Sequence, residues 1–341
     1  MRRLGVAVLI ASGSFFLAAC DRTSDKVTDG VRHEPVVVYA AIEDDAGLRD
    51  VFARYTEESG VLVIVRRGIA ADIVDDLIEN RISPPADMLV TSSVVDIWRA
   101  AEEGALRPLF SEAVHERSPA WSRDPDDLWF GTSYRTAVIA HDMPDLTGAE
   151  VPDYAALAEA RFATSVCLSS AANAVNRTVI AMMIETMGVR PAEIAVRGWM
   201  ANLALPVFDT EAQLIAAIHA GSCRIGIVSS TALAIAMTDN AHLDLAVLTP
   251  ATTYADVDGI GVARHARNPD GAAALLEWMF STDVQATGSS KNLTYPVNAS
   301  AKHAEMLDAA GAKNISQKNV GLVAWHEVEA VKLAERARYR R

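Results

Sequence analysis

Val36-Val37-Val38-Tyr39, Val61-Leu62-Val63-Ile64-Val65 and Asp87-Met88-Leu89-Val90 are three short apolar runs in the first third of the chain. None alternates polar with apolar residues, as a half-solvated strand would. A continuous apolar run bounded by turn residues reads as a strand buried on both faces. Between the first two runs, Leu48, Val51, Phe52 and Tyr55 recur at helical spacing over 46–59, and Gly60 supplies a stop. Helical patterns over 69–78 and 94–101 follow the second and third runs. Strand then helix, three times over, predicts a parallel sheet with helices on its faces, because parallel neighbours need a crossover connection.

The same grammar continues. Strands are expected over 136–140, 165–168, 224–228, 245–248 and 259–263, and helices over 172–187, 194–203, 211–220, 270–288 and 323–338. Ser169-Ser170 and Ser229-Ser230-Thr231 each stand where a strand runs into a helix. The chain has 341 residues, half of them hydrophobic, which supports one large domain or two lobes with a full core. Its net charge of −13 argues against nucleic acid and against electrostatic docking on anionic lipid. No Gly-x-Ser-x-Gly, His-Glu-x-x-His or phosphate-loop motif occurs, and the histidines lack ligand spacing, so no enzyme is expected.

At the N-terminus, Arg2 and Arg3 precede an apolar run from Leu4 to Ala19 that ends in Leu17-Ala18-Ala19-Cys20. This resembles a bacterial lipoprotein signal: residues 1–19 are removed, Cys20 is acylated, and the polar segment 20–34 becomes a tether. An uncleaved anchor is the alternative; both place the remainder outside the cytoplasm, attached to a membrane. With Cys20 given to lipid, Cys167 and Cys223 remain, either as a disulfide in an oxidising compartment or as two separate buried thiols.

Seven ordered stretches then carry a resemblance. They are Val36-Val37-Val38-Tyr39 before an acidic helix start; Pro85-Ala86-Asp87; Trp129-Phe130-Gly131 with Ser133-x-Arg135; Leu168-Ser169-Ser170 with Asn173 and Asn176; Gly198 with Asn202-Leu203-Ala204; Asp209-Thr210 with Gln213-Leu214; and Tyr295-Pro296-Val297. The chain resembles periplasmic solute-binding proteins of ABC importers, of the ferric-iron-binding type. The resemblance implies an α/β fold of the type II periplasmic binding protein kind. Two lobes, each a mixed sheet flanked by helices, are joined by crossing hinge strands. Residues 35–135 plus 254–341 form one lobe and 136–253 the other. A monomer closes on a small-molecule ligand between the lobes and delivers it to a permease in the inner membrane. Tyr39, Glu43, Ser92, Ser133, Arg135, Ser169, Ser170, Asn173, Ser229, Ser230 and Thr231 fall at or near the positions expected to meet ligand.

The chain departs from the pattern where metal chemistry is decided. Iron-binding members hold Fe(III) with two adjacent tyrosines in a strand-to-helix turn of the second lobe. Here that turn reads Ser229-Ser230-Thr231-Ala232. The first-lobe ligand falls near Glu43 and a further carboxylate near Ser92. Fe(III) is hard and highly charged, and neutral hydroxyls do not replace phenolates. Either iron arrives already chelated, or the cleft holds an organic or phosphate-bearing anion, with helix N-termini and the Arg135 fork as donors. The local alternatives are structural. The serine pairs also serve as helix N-caps, Arg135 as a partner for a carboxylate, Tyr39 as core and Glu43 as a helix-start charge. A sensor or accessory lipoprotein on the same fold is the competing function. Arg135→Ala is expected to weaken an anionic ligand and leave folding nearly unchanged.

Overall fold

The computed structural model describes residues 34–42, 46–81, 85–311 and 314–340. The signal segment, Cys20 and Glu43 lie outside the described residues. The strands are β1 (Val36–Ala41), β2 (Val63–Arg67), β3 (Met88–Thr91), β4 (Leu106–Arg107), β5 (Phe130–His141), β6 (Val166–Cys167), β7 (Ile225–Ser229), β8 (Ala246–Leu248), β9 (Ala255–Ala263) and β10 (Tyr295–Pro296). The helices of nine residues or more are α1 (Ala46–Ser59), α2 (Ala70–Ile78), α3 (Val94–Glu102), α4 (Ala174–Met187), α5 (Val189–Ala201), α6 (Glu211–His219), α7 (Ser230–Asp239), α8 (Pro269–Met279), α9 (Thr282–Asn292) and α10 (Gly321–Arg336).

The main strand order is β2-β1-β3-β9-β5-β7-β6. β1 lies parallel to β2 and β3, as the opening strand–helix rhythm requires. Val36, Val38 and Ala40 are fully buried, which explains the unbroken apolar run. β2 begins two residues later than its apolar run, and its last two residues are exposed. It is the edge of the sheet, so one side of it never needs covering. The helical pattern over 270–288 divides into α8 and α9, because Ser281 adopts extended backbone between them.

β5 is the longest strand and belongs to both halves of the sheet. Residues 130–136 pair antiparallel with β9, while residues 137–141 pair with β7 and β8. It therefore carries the chain from one group of helices to the other.

Several stretches behind the resemblance have structural duties. Asp87 is buried, and its carboxylate accepts hydrogen bonds from the backbone of Val37, Arg267 and Asn268, each at 2.8 Å. That clasps the start of β1 to the segment leaving β9. Gly198 lets α5 approach residues 154–158: a Cβ there would lie 2.3 Å from the Cβ of Ala158. Asn202 Nδ2, just past α5, donates to the carbonyls of Leu157 and Glu159. Thr210 and Gln213 form a reciprocal capping box on α6. Cys167 on β6 is disulfide-bonded to Cys223 beside β7, with Cα atoms 6.1 Å apart.

Candidate functional site

The pairing of β5 with β9 sets Arg135 opposite Asp256 and Ser133 opposite Asp258. Arg135 Nη1 donates to Asp256 Oδ2 and to the Ser92 carbonyl, both at 3.0 Å, and Nη2 donates to Asp258 Oδ1. The Ser133 hydroxyl donates to the other Asp258 oxygen. Asp256 is 2 % exposed, and its second oxygen accepts from the Val94 N–H in the first turn of α3 at 3.3 Å. One guanidinium thus ties together both crossing strands and the segment that follows β3.

Burial pushes the Asp256 carboxyl up to about 6, against the pull of Arg135 in the other direction. Burial also raises Glu211, although Ser229 and Arg135 draw it down. Desolvation opposes the charge on Arg135, but Asp258 and Asp256 outweigh it and hold the guanidinium more firmly protonated than usual. Fork-shaped donors suit a carboxylate ligand, yet this fork is already occupied by two aspartates of the chain itself.

A cavity of about 1240 Å³ is lined here by Ser92, Ser133, Arg135 and Asp258, together with Thr231 on α7 and Ala174 at the start of α4. The structure therefore brings Ser92, Ser133, Arg135 and Thr231 to one cavity. Thr231 also donates its hydroxyl to the Leu293 carbonyl at 2.8 Å.

The other hydroxyls are committed elsewhere. Ser229 is the N-cap of α7, accepting from the Ala232 N–H at 3.1 Å and donating to Glu211 Oε2 at 3.1 Å. Ser230 is fully buried and accepts from the Thr136 N–H in β5. Ser169 is fully buried and accepts from Asn176 Nδ2 at 3.0 Å. Ser170 accepts from the Ala172 N–H at 3.1 Å. Asn173 precedes α4 without making a side-chain cap bond, and the cavity begins at its neighbour Ala174. Tyr39 is half-buried and packs against the apolar core rather than lining the cavity. Tyr134 and Tyr295 stack at 5.2 Å and border a separate space of about 260 Å³ beside His303. That is below the ~300–1,000 Å³ usual for organic ligands.

The sequence reading missed Asp256, Asp258 and Glu211 as neighbours of Arg135. Their signal lies only in strand register, since Asp256 and Asp258 stand more than a hundred residues from Arg135 in sequence. Among the described residues, no three His, Cys, Asp or Glu side chains gather as a metal site.

A mixed α/β sheet whose longest strand serves both halves, with a large cavity at the crossing lined by hydroxyls, a paired arginine and apolar side chains, has the architecture of a solute-binding protein. Residues 36–290 match the family of bacterial extracellular solute-binding proteins, and the chain belongs to that family. Its fold is that of type II periplasmic binding proteins. It is 25% identical over 309 residues to Iron uptake protein A1 of Synechocystis, covering 87% of this chain and 85% of that protein. A Trichodesmium protein (IdiA, FutA) solved in complex with iron and citrate superposes with a TM-score of 0.83 at 27% identity, over 90% of this chain and all of the other. The ferric binding protein from Campylobacter jejuni shares the fold, with a TM-score of 0.79 at 22% identity over 89% of this chain and 100% of its own.

Proposed function

We propose that this chain is the substrate-binding component of an ABC importer of the iron-uptake class and takes up iron as a preformed chelate. It carries out no chemistry on its cargo. Residues 35–135 with 254–341 form one lobe and 136–253 the other; the lobes hinge at β5 and β9 and close on the solute as a monomer. Acylation at Cys20 tethers the protein to a membrane and keeps it near its permease.

The observation that carries this reading is the chemistry of the cavity wall. The acidic residues among its described lining are Asp50 and Asp258, each already in an ion pair, and no tyrosine, histidine or cysteine joins them. Bare Fe(III) requires several anionic oxygens. A chelate brings its own, and needs from the protein only shape, hydroxyls and a balanced field. The likeness to a relative solved with iron and citrate supports the same cargo.

Thermal unfolding of the mature chain with ferric citrate, citrate alone and free ferric ion tests the reading. A true ligand at a hundredfold excess over Kd stabilises by about 2.7 kcal/mol. Ferric citrate, or another ferric chelate, is expected to do so. Tight binding of free ferric ion, with the red colour of phenolate coordination, overturns the chelate reading. Small-angle scattering that shows no compaction with a bound chelate overturns hinge closure.

A further inference from the structure

The cavity extends past the crossing strands into a pouch between α1 and α9. Val51 on α1 and Met279, Val284, Gln285 and Ser289 around α9 line it, and each is less than a tenth exposed. The charged lining residues Arg67, Asp50 and Lys291 are exposed, the last two paired with each other. Gln285 spends its amide on the Met279 carbonyl and the Asn298 N–H, so apart from Ser289 the buried wall of the pouch offers hydrocarbon from Val51, Met279 and Val284.

Gly288 faces this pouch. A Cβ built there meets nothing closer than Val51 Cγ2, at 3.8 Å. Its backbone does not require glycine, since it sits within α9 and its φ is not positive. Glycine in a helix interior is unfavourable relative to alanine, so its presence here goes with the space it leaves between α1 and α9.

We propose that this pouch receives an apolar arm of the solute. The ligand is then an organic ferric chelate whose iron-binding head faces Ser92, Ser133 and Thr231 and whose hydrocarbon or aromatic arm enters between α1 and α9. Citrate and inorganic anions have no group to place there. Removing such an arm from water into an apolar enclosure is favourable in proportion to its area. The proposal rests on the reading of the chain as a receptor for chelated iron.

The test compares the ferric complexes of acetohydroxamate and octanohydroxamate, which share one iron-binding head and differ in alkyl length. Calorimetric titration of the mature chain is expected to show the longer chelate binding roughly tenfold or more tighter. Gly288→Leu fills the pouch and is expected to cancel that gain while leaving the acetohydroxamate complex unchanged. Gly288→Ala, whose added methyl has room, keeps most of the gain and stands in if the leucine variant fails to fold. Equal affinity of wild type for the two complexes overturns the proposal, as does an equal loss of both in a folded Gly288→Leu. If ferric citrate binds and the arm has no effect, the pouch assignment alone fails. If neither hydroxamate complex nor ferric citrate binds, the reading of the chain as a chelate receptor fails with it.

Discussion

Replacing Arg135 by methionine keeps aliphatic bulk and removes the guanidinium that hydrogen-bonds Asp256, Asp258 and the Ser92 carbonyl. Asp256 cannot turn to water, being 2 % exposed, and Arg177 remains as the other cation in its field. Breaking a buried ion pair from one side costs about 3–5 kcal/mol. The arginine side chain is 19% exposed, so a loss near the lower end, about 3 kcal/mol, is expected at pH 7.5. The dependence on pH follows from Asp256. Its carboxyl is raised from 3.8 to about 6 by burial even with Arg135 present. A group raised on folding favours the folded state fully below its unfolded value, and that contribution is lost as pH rises through the folded value, here between about 4 and 6. Without Arg135 the carboxyl rises further, so at pH 5 the variant holds a neutral Asp256 that needs no counter-ion. The penalty should therefore fall to about 1 kcal/mol or less at pH 5. Urea unfolding of wild type and variant at both pH values measures it, and adding Asp256→Asn at pH 7.5 should recover part of the loss. A penalty below about 1 kcal/mol at pH 7.5, or one of equal size at both pH values, refutes the assignment of Arg135 to holding β5 and β9 together. It would return Arg135 to the role expected from sequence, an anion anchor whose loss spares the fold.

The disulfide joins residues 56 apart. Replacing both Cys167 and Cys223 by alanine should cost about 4 kcal/mol in the chain-entropy account, and a loss under about 1 kcal/mol in urea unfolding would count against it. Asp87→Asn keeps one acceptor but turns donors toward backbone N–H groups that now meet a carboxylate; about 3 kcal/mol should be lost in the same assay, and a neutral effect would refute the clasp. Ser169→Ala removes one of three acceptors for Asn176 Nδ2. It should lower stability by about 1 kcal/mol and leave chelate affinity unchanged; a large affinity loss without a stability loss would move Ser169 into the binding site.

These outcomes separate what local sequence specifies from what only tertiary structure decides. The apolar runs at 36–39 and 87–90 announce buried strands because covering both faces forbids polar residues at either parity. Gly198 and Asn202 stand out in sequence, yet their work depends on residues 154–159 arriving beside α5. The serine pairs are the sharper case. A hydroxyl at a strand-to-helix turn is the same local signal whether it caps the helix or meets a ligand. Ser229 and Ser230 are settled by partners from elsewhere, Glu211 on α6 and the Thr136 N–H on β5. Arg135 follows the same logic in reverse: its charge is evident in sequence, but the aspartates that neutralise it are supplied by β9 through strand register. The turn Ser229-Ser230-Thr231-Ala232, which lacks the tyrosine pair that the resemblance to ferric-iron-binding proteins led one to expect, therefore has a positive structural role. It is a packed joint between α6, α7 and β5, in which Ser229 and Ser230 are buried and, of the three hydroxyls, Thr231 reaches the cavity. A turn so committed does not readily rotate two oxygens toward a bare ion, which agrees with the proposed chelated cargo. On that proposal, the apolar pouch beside Gly288 is the place to look for selectivity among chelates.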